Sequence, residues 1–552
     1  MSSPPLNVVL CWHMHQPSYW VDGRYAQPWV YLHAIKDYTD MAAHVETVPG
    51  ARAVFNFVPV LLDQIEHYRT LIHGFLVSGD AIADPLLDAL ARAELPQEAQ
   101  HRADLIEQCQ HVNERHMLPR FPAFARLVAL ARHAGPDAGR FLSDGYLADL
   151  LVWFHLTWLG EHVRRDDERV KRLLAREHGY TAAERRLLVT IIGELLDSVV
   201  ARYRRLERDG RIELAASPQA HPILPLLLDL ESAREALPHS QLPSNSRYPG
   251  GEERVRWHLQ EARRNIAQHF GRAPRGCWPS EGAISTPALR LIADAGFSWA
   301  ASGGGVLTNS LAASQLTVTC AHRPFTVAGV ACFFRDDGLS DLIGFTYKDW
   351  HADDAVANLI GHLETIHRHC DRPDAIVSII LDGENAWESY PENGYSFLQA
   401  LYHSLVANQA LRLTTFSDYL EANPHAALEL KSVVAGSWVY GTLSTWIGHP
   451  DKNHAWELLQ TAKRRFDERR DSLPNVVECE ALLAICEGSD WFWWLGDDNG
   501  AATVARFESL FRAHLKAFYR AIGEPPPATL DVPLSHGSDH AAAHVMRSSS
   551  GQ

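Results

Sequence analysis

Two stretches of this sequence set carboxylates directly after short apolar runs. In RGCWPSEGAIS, residues 275–285, Glu281 follows such a run and precedes a helix beginning near Thr286. In AIVSIILDGENAWESYPENG, residues 375–394, a strongly apolar run ends abruptly in Asp382, Gly383, Glu384 and Asn385. Polar groups at a buried strand end are expensive to desolvate, so such a cluster points to a site rather than to structure. A pair of carboxylates brought from separate strands is the minimum apparatus for glycosidic cleavage: one ionised to attack the anomeric carbon, the other protonated to release the leaving oxygen. Asp382, first after its strand, is one candidate, with Glu384 orienting it or contacting substrate. Glu281 is the other. Its bland reading is a helix N-terminal glutamate favoured by the macrodipole, but the neighbouring Trp278, a natural stacking platform for a sugar, favours function.

Imidazoles form the second group. In WHMHQP, residues 12–17, an extended backbone projects His13 and His15 to one face, where they can bond adjacent sugar hydroxyls or a metal. In IELAASPQAHPILPLL, residues 212–227, His221 follows a strand on a loop stiffened by Pro218 and Pro222. Glu213, inside that strand, reads as a structural ion-pair residue. Together His13, His15 and His221 have the types for a three-histidine zinc site with an open fourth position, as in a metal-dependent polysaccharide deacetylase. That reading leaves Glu281 and the DGEN cluster without a task, so the sequence calls for no metal and no cofactor.

The elements that must hold these residues are legible as alternation. Apolar runs at 7–12, 54–57, 212–215, 275–278, 298–301, 331–334 and 376–381 read as buried parallel strands, with helical spacing between most of them. Strand, helix, strand in succession predicts an α/β barrel-like domain over 1–395, whose active site gathers at the C-terminal strand ends. The interval of about 62–209 is too long for a crossover and reads as an inserted helical subdomain, closed by Gly210 after ERRLLVTIIGELLDSVVARYRRLERDG. From 396 to 523 helical patterns dominate, predicting a mainly α-helical C-terminal domain. The tail 524–552 reads as flexible.

A chain of 552 residues, 46% hydrophobic and 21% charged, is ordinary for a globular protein of two or more packed units. A net charge of -16 repels a phosphate backbone, which argues against nucleic acid, while a neutral sugar polymer needs no steering. The N-terminus lacks a basic region before its short apolar run, and no run approaches a membrane span, so cytoplasmic residence is predicted. The eight cysteines are scattered singly and read as small buried hydrophobes, not as a disulfide framework.

Taken in order, HQP (15–17), ELAASPQAHPILPLL, WPSEGAIS and LDGENAWE resemble the first four signature regions of glycoside hydrolase family 57. GSWVYGTLSTWIGHPDKNHAWELL, residues 436–459, resembles the fifth, and FRDDGLSDLIGF (334–345) and EGSDWFWWLGDD (487–498) are similar to further family stretches. The resemblance spans roughly residues 7–500. It implies a (β/α)7 barrel with a helical C-terminal domain completing the cleft, and a retaining mechanism with Glu281 as nucleophile and Asp382 as acid/base. Substrate contacts would come from His13, His15, His221, Trp278, Trp438 and Trp446. The motifs look most like α-amylase and amylopullulanase-like members, less like branching enzymes. They imply a starch- or glycogen-type α-glucan, cleaved at α-1,4 and possibly α-1,6 bonds. 4-α-Glucanotransfer is the nearest alternative activity, and a non-catalytic glucan-binding protein the alternative from another class. VYGTLS, ending at Ser444, is less polar than the family pattern.

Overall fold

The computed structural model describes residues 4–538 and 546–547. Each of the seven apolar runs is a strand: β1 (Leu6–Met14), β2 (Ala53–Phe57), β3 (Ile212–Ala216), β4 (Gly276–Cys277), β5 (Trp299–Ser302), β6 (Val330–Phe334) and β7 (Ile376–Asp382). They pair in parallel in the order β7-β1-β2-β3-β4-β5-β6. A bridge between Arg335 and Ser378 joins β6 to β7 and closes the ring. This is the (β/α)7 barrel.

The strands are continuously apolar because both of their faces are covered. Along β1, Val8, Leu10, Trp12 and Met14 pack in the main core, which includes residues of the flanking helices, whereas Val9 and Cys11 join Val54, Ala215, Trp299, Phe333 and Ile380 in a second cluster, the barrel interior. Helix Phe416–Ala422 adds to that interior: the Phe416 ring lies 4.5 Å from Trp299 and 4.3 Å from Phe333 between centroids. Glu213 also turns inward. It accepts hydrogen bonds from the Trp299 indole at 2.7 Å and the Ser417 amide at 3.0 Å, so its structural role rests on these bonds rather than on an ion pair.

Between β2 and β3 the chain is helical, ending in the helix Ala182–Arg208. A capping box between Thr181 and Glu184 starts that helix, and Leu188, Ile192, Leu196, Val199 and Tyr203 bury one face at spacings of three and four. It stops just before Gly210, whose φ of 66° suits a residue without a Cβ.

Beyond residue 395 the chain is not purely helical. Leu411–Leu413 adds to β1 in parallel, and Leu428–Glu429 pairs with Phe325–Val327, itself antiparallel to β6. The sheet thus continues past the point where apolar patterning ends it, because strands of two or three residues are too short to show a period. The helices Pro450–Arg469, Val476–Cys486, Ser489–Trp494 and Ala501–Ala521 follow. Within the tail that reads as flexible, Leu530 is buried and the Ser535 hydroxyl accepts from the Gly496 amide at 2.9 Å, so the stretch up to 538 is packed. Residues 539–545 and 548–552 lie outside the described residues.

The cysteine reading needs one correction. Cys320 and Cys370 form a disulfide across 50 positions, while the other six are free and buried. The fold brings the loop before β6 against the end of helix Ala352–His369, a proximity that spacing does not encode. Among the described residues no helix is long and apolar enough to cross a membrane.

Candidate active site

Strand register assembles the first part of the site. His13, near the end of β1, lies opposite Asn56 on β2 and Asp382 on β7. Its Nδ1 is 2.5 Å from the Asn56 amide oxygen, which also accepts from the Ser217 hydroxyl at 3.0 Å. An oxygen that only accepts assigns the proton to Nδ1 and leaves Nε2 as an acceptor. Burial and the neighbouring His15 bring the His13 pKa down to about 3, so the ring is neutral. The ends of β1 and β7 approach so closely that a Cβ on Gly383 would meet the Met14 sulfur at 2.2 Å. A larger residue there requires the Met14 side chain to move.

Glu281 sits on a single 3-10 turn, Ser280–Gly282, immediately after β4, with a φ of 59°. That left-handed conformation costs a non-glycine residue about 1–2 kcal/mol and persists only where the surroundings impose it. Here the next residue, Gly282, is also left-handed and passes so close to the Trp278 ring that a Cβ would stand 2.9 Å from it. The Trp438 amide binds the Glu281 carbonyl at 3.1 Å. The carboxylate is held by the Trp438 indole, donating to Oε2 at 3.0 Å, and by the Ser489 hydroxyl, 3.3 Å from Oε1.

Burial, then the charges of Asp382 and Asp490, push the Glu281 pKa up to about 8 against the lowering effect of these two donors. The Asp382 carboxyl is raised too, by burial, with the Asn385 side-chain amide (2.9 Å from Oδ2), His15 and Arg335 opposing. The two carboxyls therefore retain a proton at neutral pH. The elevation of Asp382 comes from its own burial rather than from an ionised Glu281.

Both groups line one cavity of about 120 Å³, open at its mouth, together with His13, His15, His221, Glu384 and Trp438. Seven of the nine residues singled out from sequence thus meet. Glu384 is 1% exposed, and its Oε1 accepts from the His15 amide at 3.0 Å, so it fixes the loop after β1. His221, with a φ of 61°, is bonded through Nδ1 to the Ser489 hydroxyl at 2.9 Å and lies 3.9 Å from Glu281. Burial, with His15 and His13 nearby, keeps its pKa well below the usual range.

The remaining two residues do not reach the cavity. Trp278 is 0% exposed, packed edge-on to Trp438 at 5.1 Å, and so forms the floor beneath the site rather than a stacking surface. Trp446 is likewise 0% exposed and packs 5.9 Å from Trp493, between helical elements of the C-terminal region. Conversely, the lining includes Arg335, Asp490, Trp493 and Trp494, to which sequence reasoning gave no role. Arg335 donates to the Ile380 carbonyl at 2.8 Å and to Asp337 at 3.0 Å, and stands 5.7 Å from the Trp438 ring. Asp490 faces His15 at 2.9 Å. The segment 487–490 is anchored by Glu487, fully buried and bonded to Arg254 (2.8 Å), His258 (2.8 Å) and Tyr248 (2.7 Å).

A seven-stranded barrel with carboxyls gathered in one cavity at the C-terminal ends of separate strands has the layout on which barrel enzymes build their sites. A family model places it further: residues 9–431 match glycosyl hydrolase family 57, and the chain belongs to that family. Solved structures agree in fold. A family 57 branching enzyme from Thermococcus kodakaraensis superposes with a TM-score of 0.59 at 13% identity, covering 94% of this chain and 90% of that one. The α-amylase AmyC of Thermotoga maritima gives 0.54 at 15% identity, covering 94% and 93%. A 4-α-glucanotransferase from Thermococcus litoralis gives 0.54 at 13%, covering 94% of this chain and 60% of that one. No curated protein is a significant match to the sequence.

Proposed function

We propose that this protein is a retaining enzyme that cleaves α-1,4-glucosidic bonds in starch- or glycogen-type glucans through a covalent glycosyl-enzyme. One observation carries the reading: Glu281 and Asp382, delivered by β4 and β7, share a cavity in which the charge of one is felt by the other. Glu281 is the nucleophile. The Trp438 indole and the Ser489 hydroxyl each donate toward one of its oxygens, which favours the anion and aims it. Asp382 is the acid/base. For the reaction the proton that burial places on Glu281 in the empty site passes to Asp382, which gives it to the leaving oxygen as the ionised Glu281 bonds to the anomeric carbon. Asp382, now ionised, then takes a proton from water, giving hydrolysis, or from a second sugar hydroxyl, giving transfer.

His13, His15 and His221 are the groups that meet the hydroxyls of the sugar being cleaved, and Trp438 walls it. Trp278 acts from below by fixing Trp438. Family membership, and neighbours named as an α-amylase and a 4-α-glucanotransferase, support α-glucan as the substrate class. Incubation with maltooligosaccharides tests this: a ladder of shorter sugars is expected from hydrolysis, longer sugars from transfer. Proton NMR of the first-formed product is expected to give the α-anomer, and initial release of the β-anomer overturns double displacement. Glucan binding with no turnover on any α-glucan would identify a binding protein instead.

A further inference from the structure

The cavity contains a donor set that cleavage of a glycosidic bond does not require as a set. A ring nitrogen of His15, one of His221 and a carboxylate oxygen of Asp490 all lie within 4.8 Å of one another. These residues come from the end of β1, the loop after β3 and the helix Ser489–Trp494, so only the fold assembles them. His221 is 1% exposed, and with Nδ1 bonded to Ser489 its Nε2 is buried without a partner. His15 presents Nε2 to Asp490 at 2.9 Å, and its Nδ1 is likewise buried and unpartnered. The ring centroids stand 3.9 Å apart, with the planes tilted by 30°. Around them the cavity wall carries three more carboxyls, Glu281, Asp382 and Glu384, against the guanidinium groups of Arg335 and Arg547. Two imidazoles and a carboxylate, with room for a fourth ligand, are the donors preferred by zinc and similar borderline ions, while calcium and magnesium prefer oxygen alone.

We infer that His15, His221 and Asp490 form a binding site for one divalent transition-metal ion of the zinc class, and that the bound ion blocks the active site. The set differs from a three-histidine site: Asp490, and not His13, completes the group. Blocking follows from position. The 3.9 Å approach of His221 to Glu281 is made by Nδ1, which Ser489 occupies; an ion on the free Nε2 still lies in the cavity that Glu281 and Asp382 line, and so takes the space of the sugar. The ion-binding half stands on geometry alone, whereas the inhibitory half rests on the double-displacement reading above.

The test uses the full chain washed with chelator and titrated with Zn²⁺ by calorimetry, or with Co²⁺ followed by its visible d–d bands. Saturation at one ion per chain is expected, with Mg²⁺ inert. The conservative change Asp490→Asn and, separately, His221→Ala are each expected to weaken binding by at least ~10-fold, since each removes one of three ligands; matching circular dichroism and melting curves exclude misfolding. With maltooligosaccharide as substrate, Zn²⁺ is expected to raise KM without changing kcat, and EDTA to reverse it. No saturable binding, or unchanged affinity in both variants, overturns the site. Activity that disappears on chelation and returns with Zn²⁺ keeps the site but overturns both its inhibitory role and the metal-free mechanism. Binding without any effect on KM overturns the inhibitory role alone.

Discussion

The two halves of the active site are built differently. The barrel half, His13, Asn56 and Asp382, hangs on adjacent strands in hydrogen-bonded register, with Glu281 on a strained turn beside it. The other half, Trp438, Ser489, Asp490 and Trp493, arrives on loops and a six-residue helix of the C-terminal region. That half is held by side-chain bonds to the barrel and by the buried Glu487 anchor. Under the proposed mechanism the reacting carboxyls are both supplied by the barrel, Asp382 on its ladder and Glu281 on the turn after β4. Enclosure and electrostatic adjustment reside on a segment whose position depends on a handful of polar contacts.

Substitutions separate the halves, and the largest effects belong to the barrel. Glu281→Gln removes the nucleophile while keeping its shape, and kcat on every substrate is expected to fall by on the order of 10⁴-fold or more. No burst should appear with an activated aryl glycoside. Asp382→Asn is expected to lose about 10²–10⁴-fold on natural glucan and far less on the aryl substrate, where the leaving group needs no proton. Azide should then rescue turnover through a glycosyl azide of retained configuration. Wild-type activity of Asp382→Asn on glucan would move the acid/base role elsewhere, with Glu384 first to examine.

The C-terminal half should respond in stability before chemistry. Trp446→Ala is expected to cost about 3–5 kcal/mol, read by denaturant unfolding, with KM unchanged in the folded fraction. Trp438→Phe keeps the wall but removes a donor to Glu281, and a kcat loss of roughly 10-fold is expected, equivalent to about 1.4 kcal/mol. Equal effects of the two on KM would erase the distinction between core and lining tryptophans.

A smaller effect concerns acid. Burial raises the pKa of Glu487, but the Arg254 charge and the His258 and Arg254 hydrogen bonds outweigh it and bring the group down to about 2, below its unfolded value of 4.5. A depressed folded pKa gives stability that is fully present above the unfolded value and lost as pH falls from there toward 2. Melting temperatures between pH 6 and pH 3 should therefore decline less steeply in Glu487→Gln, which starts from a lower plateau.

Much of the barrel was legible because a strand covered on both faces must be apolar throughout and must end in polar residues where the site begins. That logic found all seven strands and pointed to Asp382 and Glu281, which the fold brings to one cavity. Applied to FFRDD after β6 it would also have found Arg335, and the lone asparagine in AVFNF was the available signal for Asn56. Ser489 and Asp490 carried no such signal: a serine and an aspartate opening a helix are ordinary caps, and only tertiary folding sets them against His221 and His15. Trp446 misled for the opposite reason, since a tryptophan in a site-like motif looks the same in sequence whether it faces a ligand or the core. The Cys320–Cys370 pair had no motif at all.

Around the barrel, five of the seven strand-to-strand junctions are ladders of two or more residue pairs, while β3 meets β4 at the single pair Ala216–Cys277 and β6 meets β7 at the Arg335–Ser378 bridge. A hoop with two stitched seams is held by the fewest backbone pairs there, and the second seam, between β6 and β7, bears on the site. This seam runs beside Asp382, and Arg335, which forms the stitch, also reaches across it to the Ile380 carbonyl. Widening at this seam changes the spacing between the Arg335 cation and the Asp382 carboxyl, whose pKa that cation lowers.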